Sequence, residues 1–229
     1  MTNPSISVII PVYNNEKYVA EAIQSVLSQT FKPYEVIVIN DGSTDRSADI
    51  AREFEPQIRF WHQSNIGISA TRNKGIESAS GDYLAFLDAD DLWTPDKLKL
   101  QVEFLEKHPE TEMILGTVKQ FISPELNEEH HHKLRKELET MPGFVPGTLL
   151  IRKETFLRVG FFNEKLELGE FIDWFSRAKD MGIKYAVMDD IVLQRRIHTT
   201  NTGIIKKQHL KDYTTLLRAA LERKRAQNQ

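Results

Sequence analysis

The stretch Tyr83-Leu84-Ala85-Phe86-Leu87-Asp88-Ala89-Asp90-Asp91 decides the fold. An unbroken apolar run ends abruptly in carboxylates. Apolar residues without alternation mark a strand buried on both faces, the habit of parallel sheets. Two upstream stretches share this design. Ile6 to Val12 is apolar and ends in Pro11-Val12-Tyr13-Asn14-Asn15. Glu35 to Ile39 ends in Asn40-Asp41-Gly42-Ser43-Thr44-Asp45, and Ile58 to Trp61 reads as a shorter strand.

Helical patterns separate these strands. Val19, Ala22, Ile23 and Val26 recur at helical spacing, and a second helix runs through Ala48 and Ala51. Ile68 to Ala79 reads as a helix with Gly81 as its C-terminal cap. Thr94-Pro95 reads as a helix start, threonine capping and proline in the first turn, with Leu98, Val102 and Leu105 as the apolar face. Alternating strand and helix predicts an α/β fold, a mostly parallel open sheet with helices on both faces. Such sheets bind ligands beyond the carboxyl ends of their strands. The three polar strand ends therefore mark the expected site.

The second half is less regular. Met113 to Val118, Val145 to Ile151 and Lys184 to Met188 read as strands, and Glu154 to Val159 and Phe171 to Met181 as helices, the latter ending at Gly182. Ser123 to Gly143 is polar and reads as a loop or short helix. Residues 1–205 are expected to form one domain. Lys206 to Arg225 reads as a basic helix with Leu210, Tyr213, Leu217 and Leu221 on one stripe, which suits packing on its own domain or a second subunit, or contact with an anionic membrane surface.

Composition narrows the function. A net charge of −3 is not built for nucleic acid, and the absence of cysteine excludes disulfides, thiolate metal sites and a cysteine nucleophile. The N-terminus lacks a signal-peptide pattern and no apolar run approaches a membrane span, so the expected location is the cytoplasm, with residues 206–225 able to touch the inner face of the membrane.

Asp88 and Asp90 at a strand end suit a hard cation whose shell is completed by phosphate oxygens, Mg2+ or Mn2+. Asp41 is placed to accept a hydrogen bond from a base N–H, or else to shape a turn. Arg72 is suited to bidentate phosphate binding. His130-His131-His132 reads as a polar loop, because consecutive residues do not converge on one ion. Trp61, Trp93 and Trp174 read as core, with Trp93 alternatively a platform for a sugar ring.

Pro11-Val12-Tyr13-Asn14, Asp41-Gly42-Ser43, Asn65-x-Gly67, Arg72-Asn73-x-Gly75 and Asp88-Ala89-Asp90 occur in one order. Together they resemble the family 2 glycosyltransferases, inverting enzymes of the GT-A fold. The resemblance implies a nucleotide-diphosphate sugar donor, most often a UDP-sugar, and a sugar, lipid-linked or other hydroxyl as acceptor. It assigns residues 1–110 to donor binding and 111–205 to the acceptor and base. By it, Pro11, Val12, Tyr13, Asn14, Asp41, Asn65, Gly67, Arg72, Asp88 and Ala89 line the nucleotide-sugar, and Asp90, Asp88 and His198 hold the divalent cation. The family's catalytic base lies in a Glu-Asp pair opening a helix. Here Glu170, Asp173 and Arg177 match, but Phe171 stands where the pair has its aspartate. Glu170 is then the favoured base and Asp173 the alternative, both on one helix face. Neither the processive members' Gln-x-x-Arg-Trp motif nor their membrane spans occur here, so one sugar per encounter is expected. A dehydrogenase would need Gly-x-Gly-x-x-Gly after the first strand, and a nucleotidyltransferase a Gly-rich basic loop there. Pro11 to Asn15 offers neither. The remaining alternative is a nucleotide-sugar-binding module without transfer activity.

Overall fold

The computed structural model describes residues 4–126, 140–166, 168–199 and 201. His130 to His132 and the basic segment 206–225 lie outside them. The first half alternates as its periodicity predicts: β1 (Ile6–Val12), α1 (Val19–Leu27), β2 (Glu35–Asp41), α2 (Ser47–Arg52), β3 (Arg59–Gln63), α3 (Ile68–Ser78) and β4 (Tyr83–Phe86). A two-residue strand, β5 (Leu92–Trp93), and α4 (Lys97–Lys107) follow. The second half contains β6 (Met113–Ile122), β7 (Thr140–Pro142), a 3-10 turn at Pro146–Thr148, β8 (Leu150–Arg152), α5 (Lys153–Val159), α6 (Glu170–Asp180) and β9 (Tyr185–Ile197).

All nine strands join one sheet in the order β3-β2-β1-β4-β8-β6-β9-β5, with β7 added beside β6. β3, β2, β1 and β4 run parallel. β8 runs antiparallel between β4 and β6, while β9 lies parallel to β6. The central strands are apolar throughout because each face meets a different core. Ile6, Val8, Ile10 and Val12 pack with Ile23, Val26 and Leu98 from α1 and α4. Ile9, Ile37 and Ile39 pack on the other face with Ile76, Phe156 and Trp174 from α3, α5 and α6. Each such side chain contributes about 1.5–3 kcal/mol when fully removed from water.

Several boundaries differ from the sequence reading. Gly81 does not cap α3, which ends at Ser78 with Ala79 extended. Gly81 is instead where the chain crosses β1: a Cβ there would lie 2.8 Å from Ser5 O and Ser7 N. Thr94 does not cap α4 with its hydroxyl; Leu92-Trp93 is spent on the edge strand β5, and Thr94 Oγ1 donates to Ile191 O at 2.9 Å. The expected strand from Val145 shrinks to β8 because Pro146–Thr148 forms a 3-10 turn. β9 runs past Met188 to Ile197, its Asp189-Asp190 pair absorbed by a register shift against β6 between Leu115 and Val118.

Three side chains beyond β4 grip three successive carbonyls. Trp93 Nε1 donates to Gly147 O at 2.8 Å, Gln101 Nε2 to Thr148 O at 2.7 Å and Lys97 Nζ to Leu149 O at 3.4 Å. Lys97 is fully buried over the Trp93 ring, and burial pushes its pKa well below the usual lysine value. Trp93 and Trp174 are core residues and Trp93 is no sugar platform, whereas Trp61 is exposed. Among the described residues no helix is long and apolar enough to cross a membrane.

Candidate active site

The loops beyond β1 and β2 are stitched together. Asn14 adopts φ +51°, and its side-chain oxygen accepts from Thr44 N at 2.8 Å while Asn14 N donates to Ser43 Oγ at 3.0 Å. Pro11 and Val12 are buried in β1, so Tyr13, half exposed, presents the first free side chain. Asp41 is buried and its carboxylate is already engaged. Oδ1 accepts from Ile66 N and Gln63 Nε2, each at 2.9 Å, and Oδ2 from Gly67 N at 3.0 Å. Asp41 therefore shapes the exposed Asn65–Gly67 loop. Gly42, at φ +71°, is required here, since a Cβ would lie 2.7 Å from Asn65 N.

Arg72 projects from α3 into the middle of the constellation. One of its terminal nitrogens donates to Asp88 Oδ1 at 2.5 Å, the other to Glu170. Burial works against the buried guanidinium's charge, but Asp88 and Glu170 more than offset this and hold its pKa above the ordinary arginine value. Among the described residues its buried Nε has no hydrogen-bond partner. Arg72 thus joins the strand-end aspartate to Glu170, itself 98 positions from Arg72. Ala89 is buried, and its neighbours diverge: Asp88 faces Arg72, while Asp90 faces the end of β9.

At that end, Asp90 Oδ2 lies 3.0 Å from His198 Nε2 and 3.4 Å from Asn201 Nδ2. Among the described residues no cluster of three acidic, histidine or cysteine ligands is assembled. The Asp90–His198 pair nonetheless fits a divalent cation: ligand atoms on adjacent corners of a shell with bonds of about 2.1 Å stand about 3 Å apart.

α6 opens at Gly169, φ +79°, with Glu170 as its first residue. Phe171 is buried among Trp174 and Phe175. Asp173, also buried, turns along the helix to Arg177, whose guanidinium donates to Val159 O and Phe161 O.

Sequence reasoning missed several residues of this region. Asp91 is buried and accepts from Arg196 N; desolvation, then the charges of Asp90 and Asp88, push its pKa well above the carboxylate range. Tyr18 packs its ring 4.7 Å from that of His198 and donates its hydroxyl to Glu125. Burial works to raise the Glu125 carboxyl, but hydrogen bonds from Ser123 and Tyr18 together outweigh it and hold the pKa down to about 2. Arg196 and Asn201 complete the group. In the sequence, Arg195 to Asn201 resembles the family's late Arg-x-His segment, in which a role is expected for His198 alone.

The model of glycosyl transferase family 2 matches residues 7–166, which carry the β1, β2 and β4 ends, Arg72 and the Asp88–Asp90 turn. The chain belongs to glycosyl transferase family 2. An uncharacterized glycosyltransferase of Rickettsia typhi is 31% identical, the match covering 93% of this chain and 70% of the relative. A second, from Rickettsia prowazekii, is also 31% identical over 92% of this chain and 70% of its own. In structure, this glycosyltransferase is similar to residues 1–349 of Staphylococcus aureus TarS. The TM-score is 0.72 at 21% identity, covering 96% of this chain and 65% of that one. TarS has been solved in complex with UDP and with UDP-GlcNAc. The likeness shows the GT-A fold, α/β with helices on both faces of the sheet.

Proposed function

We propose that this glycosyltransferase moves one sugar from a UDP-sugar to an acceptor hydroxyl, with inversion and with the help of Mg2+ or Mn2+. The observation that carries the reading is the Arg72 bridge, which brings the donor-side Asp88 and the helix-opening Glu170 to one point. The nucleotide-bound TarS structures support UDP as the carrier.

In this reading residues 1–110 hold the donor and 111–205 present the acceptor. Tyr13, Asn14 and the Asn65–Gly67 loop receive the nucleotide, with Asp41 fixing that loop and facing the base. Asp90 and His198 would hold the cation, while Asp88 stays with Arg72. When bound, the cation neutralises the diphosphate and so improves it as a leaving group. Arg72 holds one oxygen of Glu170 and thereby orients the other. That carboxylate takes the acceptor's proton as the hydroxyl attacks the anomeric carbon, opposite the departing diphosphate. One displacement inverts the configuration. The acceptor is a sugar, lipid-linked or other hydroxyl, and the reaction is placed in the cytoplasm, with 206–225 as the segment able to meet the inner face of the membrane.

The test is a thermal-shift series with nucleoside diphosphates and nucleotide-sugars, with and without Mn2+. A ligand that binds only the folded state raises its apparent stability. A shift with UDP or a UDP-sugar that grows with Mn2+ is expected. A folded sample that responds to no nucleotide would overturn donor binding. Donor binding without transfer to any acceptor would leave a binding module.

A further inference from the structure

Asp90 is held by more than its neighbour His198, and the groups that hold it lead outward to the surface of α1. Arg196, 4% exposed, contacts the Asp90–Asp91 turn twice: its Nε donates to Asp90 O at 3.0 Å and its backbone N to Asp91 Oδ1 at 2.9 Å. Its guanidinium lies between two rings, 4.8 Å from Tyr18 and 4.7 Å from Phe121. Its far nitrogen donates to Glu21 Oε2 at 2.5 Å, on the exposed side of α1. Asn201 closes the arrangement. It accepts from His198 N at 2.6 Å and donates to Arg196 O at 3.1 Å, with the longer contact to Asp90 noted above. The same Tyr18 ring that supports the Arg196 guanidinium also packs on His198.

We infer that Glu21 and Arg196 form a positioning relay that sets the orientation of Asp90 and His198, and through them the affinity of the site for its divalent cation. Buried arginine is suited to this because its planar fork keeps several donors in fixed directions. Here Nε is engaged by the Asp90 carbonyl and one terminal nitrogen by the Glu21 carboxylate. Glu21 fixes the outer end of the fork. Groups that orient metal ligands without touching the metal change affinity by about 10–100-fold when altered. Glu21 occurs in none of the motifs that mark the donor site, and its place follows only from the contact with Arg196. The inference rests on the reading of Asp90 and His198 as cation ligands.

The experiment measures Mn2+ binding by the loss of its free-ion electron paramagnetic resonance signal. UDP is present, and wild type, Arg196→Lys, Glu21→Gln and Glu53→Gln are compared. Glu53 is an exposed acid outside the relay, so its variant controls for net charge. Arg196→Lys is expected to weaken Mn2+ binding by about 10–100-fold and Glu21→Gln by a smaller factor, with UDP affinity in the absence of metal unchanged. Glu53→Gln is expected to match wild type. If Arg196→Lys does not fold, Glu21→Gln carries the test, since its side chain is largely exposed. Glu21→Gln indistinguishable from Glu53→Gln would overturn the relay alone. Wild type that binds UDP but no Mn2+ would overturn the cation reading and the relay with it.

Discussion

Asp173 Oδ2 lies 3.0 Å from Arg177 Nε, one turn further along α6. Because Arg177 also holds Val159 O and Phe161 O, this pair ties the helix to the segment after α5. Asp173→Asn is therefore expected to lower stability by about 1.5–3 kcal/mol, the worth of a hydrogen bond to a charged group. Glu170→Gln is expected to lower turnover by about 10²–10⁴-fold, the usual contribution of a general base, while donor binding persists. Urea unfolding of both variants beside single-turnover rates separates the roles. The reverse pattern would make Asp173 the base.

Arg72→Met is expected to destabilise the fold by about 3–5 kcal/mol, because it leaves Asp88 and Glu170 facing each other without a cation. Arg72→Lys keeps the charge but not the fork and should recover only part of the loss. Denaturant titration at fixed pH gives both values.

Phe171 occupies the position where the family's base is expected, and its side chain is in the core. Restoring the acid by Phe171→Asp should therefore fail. The lost ring alone costs about 3–5 kcal/mol, and a buried charge adds to it. A Phe171→Asp protein that folds normally and turns over faster would show that this side chain reaches the site.

Lys97 gives the stability a pH dependence of definite sign. Its folded pKa is depressed by burial, so the unfolded chain binds the extra proton and stability rises with pH. The gain runs from the folded pKa up to the unfolded value near 10.5, at about 1.4 kcal/mol per pH unit where the two states differ by one proton. Lys97→Met should remove that rise and be comparatively more stable at neutral pH. Melting curves across pH 7 to 10 check both statements.

The central strands were legible because burial on both faces leaves an uninterrupted apolar run, and the polar residue that ends each run marks where the candidate site begins. Asn14, Asp41 and Asp88 stand at or just beyond those ends, whereas Glu170 opens α6. β5 and the outer part of β9 were hidden for the opposite reason: two residues carry no period, and Gln194, Arg195 and Arg196 look like a surface run although Arg196 is buried. Tyr18, Glu21 and Arg196 acquire their roles from segments about 175 positions apart meeting in space, which no local spacing records. Phe171 was visible as a departure, but only packing shows that the missing acid has been replaced by core.

The grip of Trp93, Lys97 and Gln101 falls on the main-chain oxygens of Gly147, Thr148 and Leu149. An anchor of that kind does not read side chains. The bend between β7 and β8 is therefore tied to β5 and α4 through its backbone, independently of which side chains residues 147–149 carry.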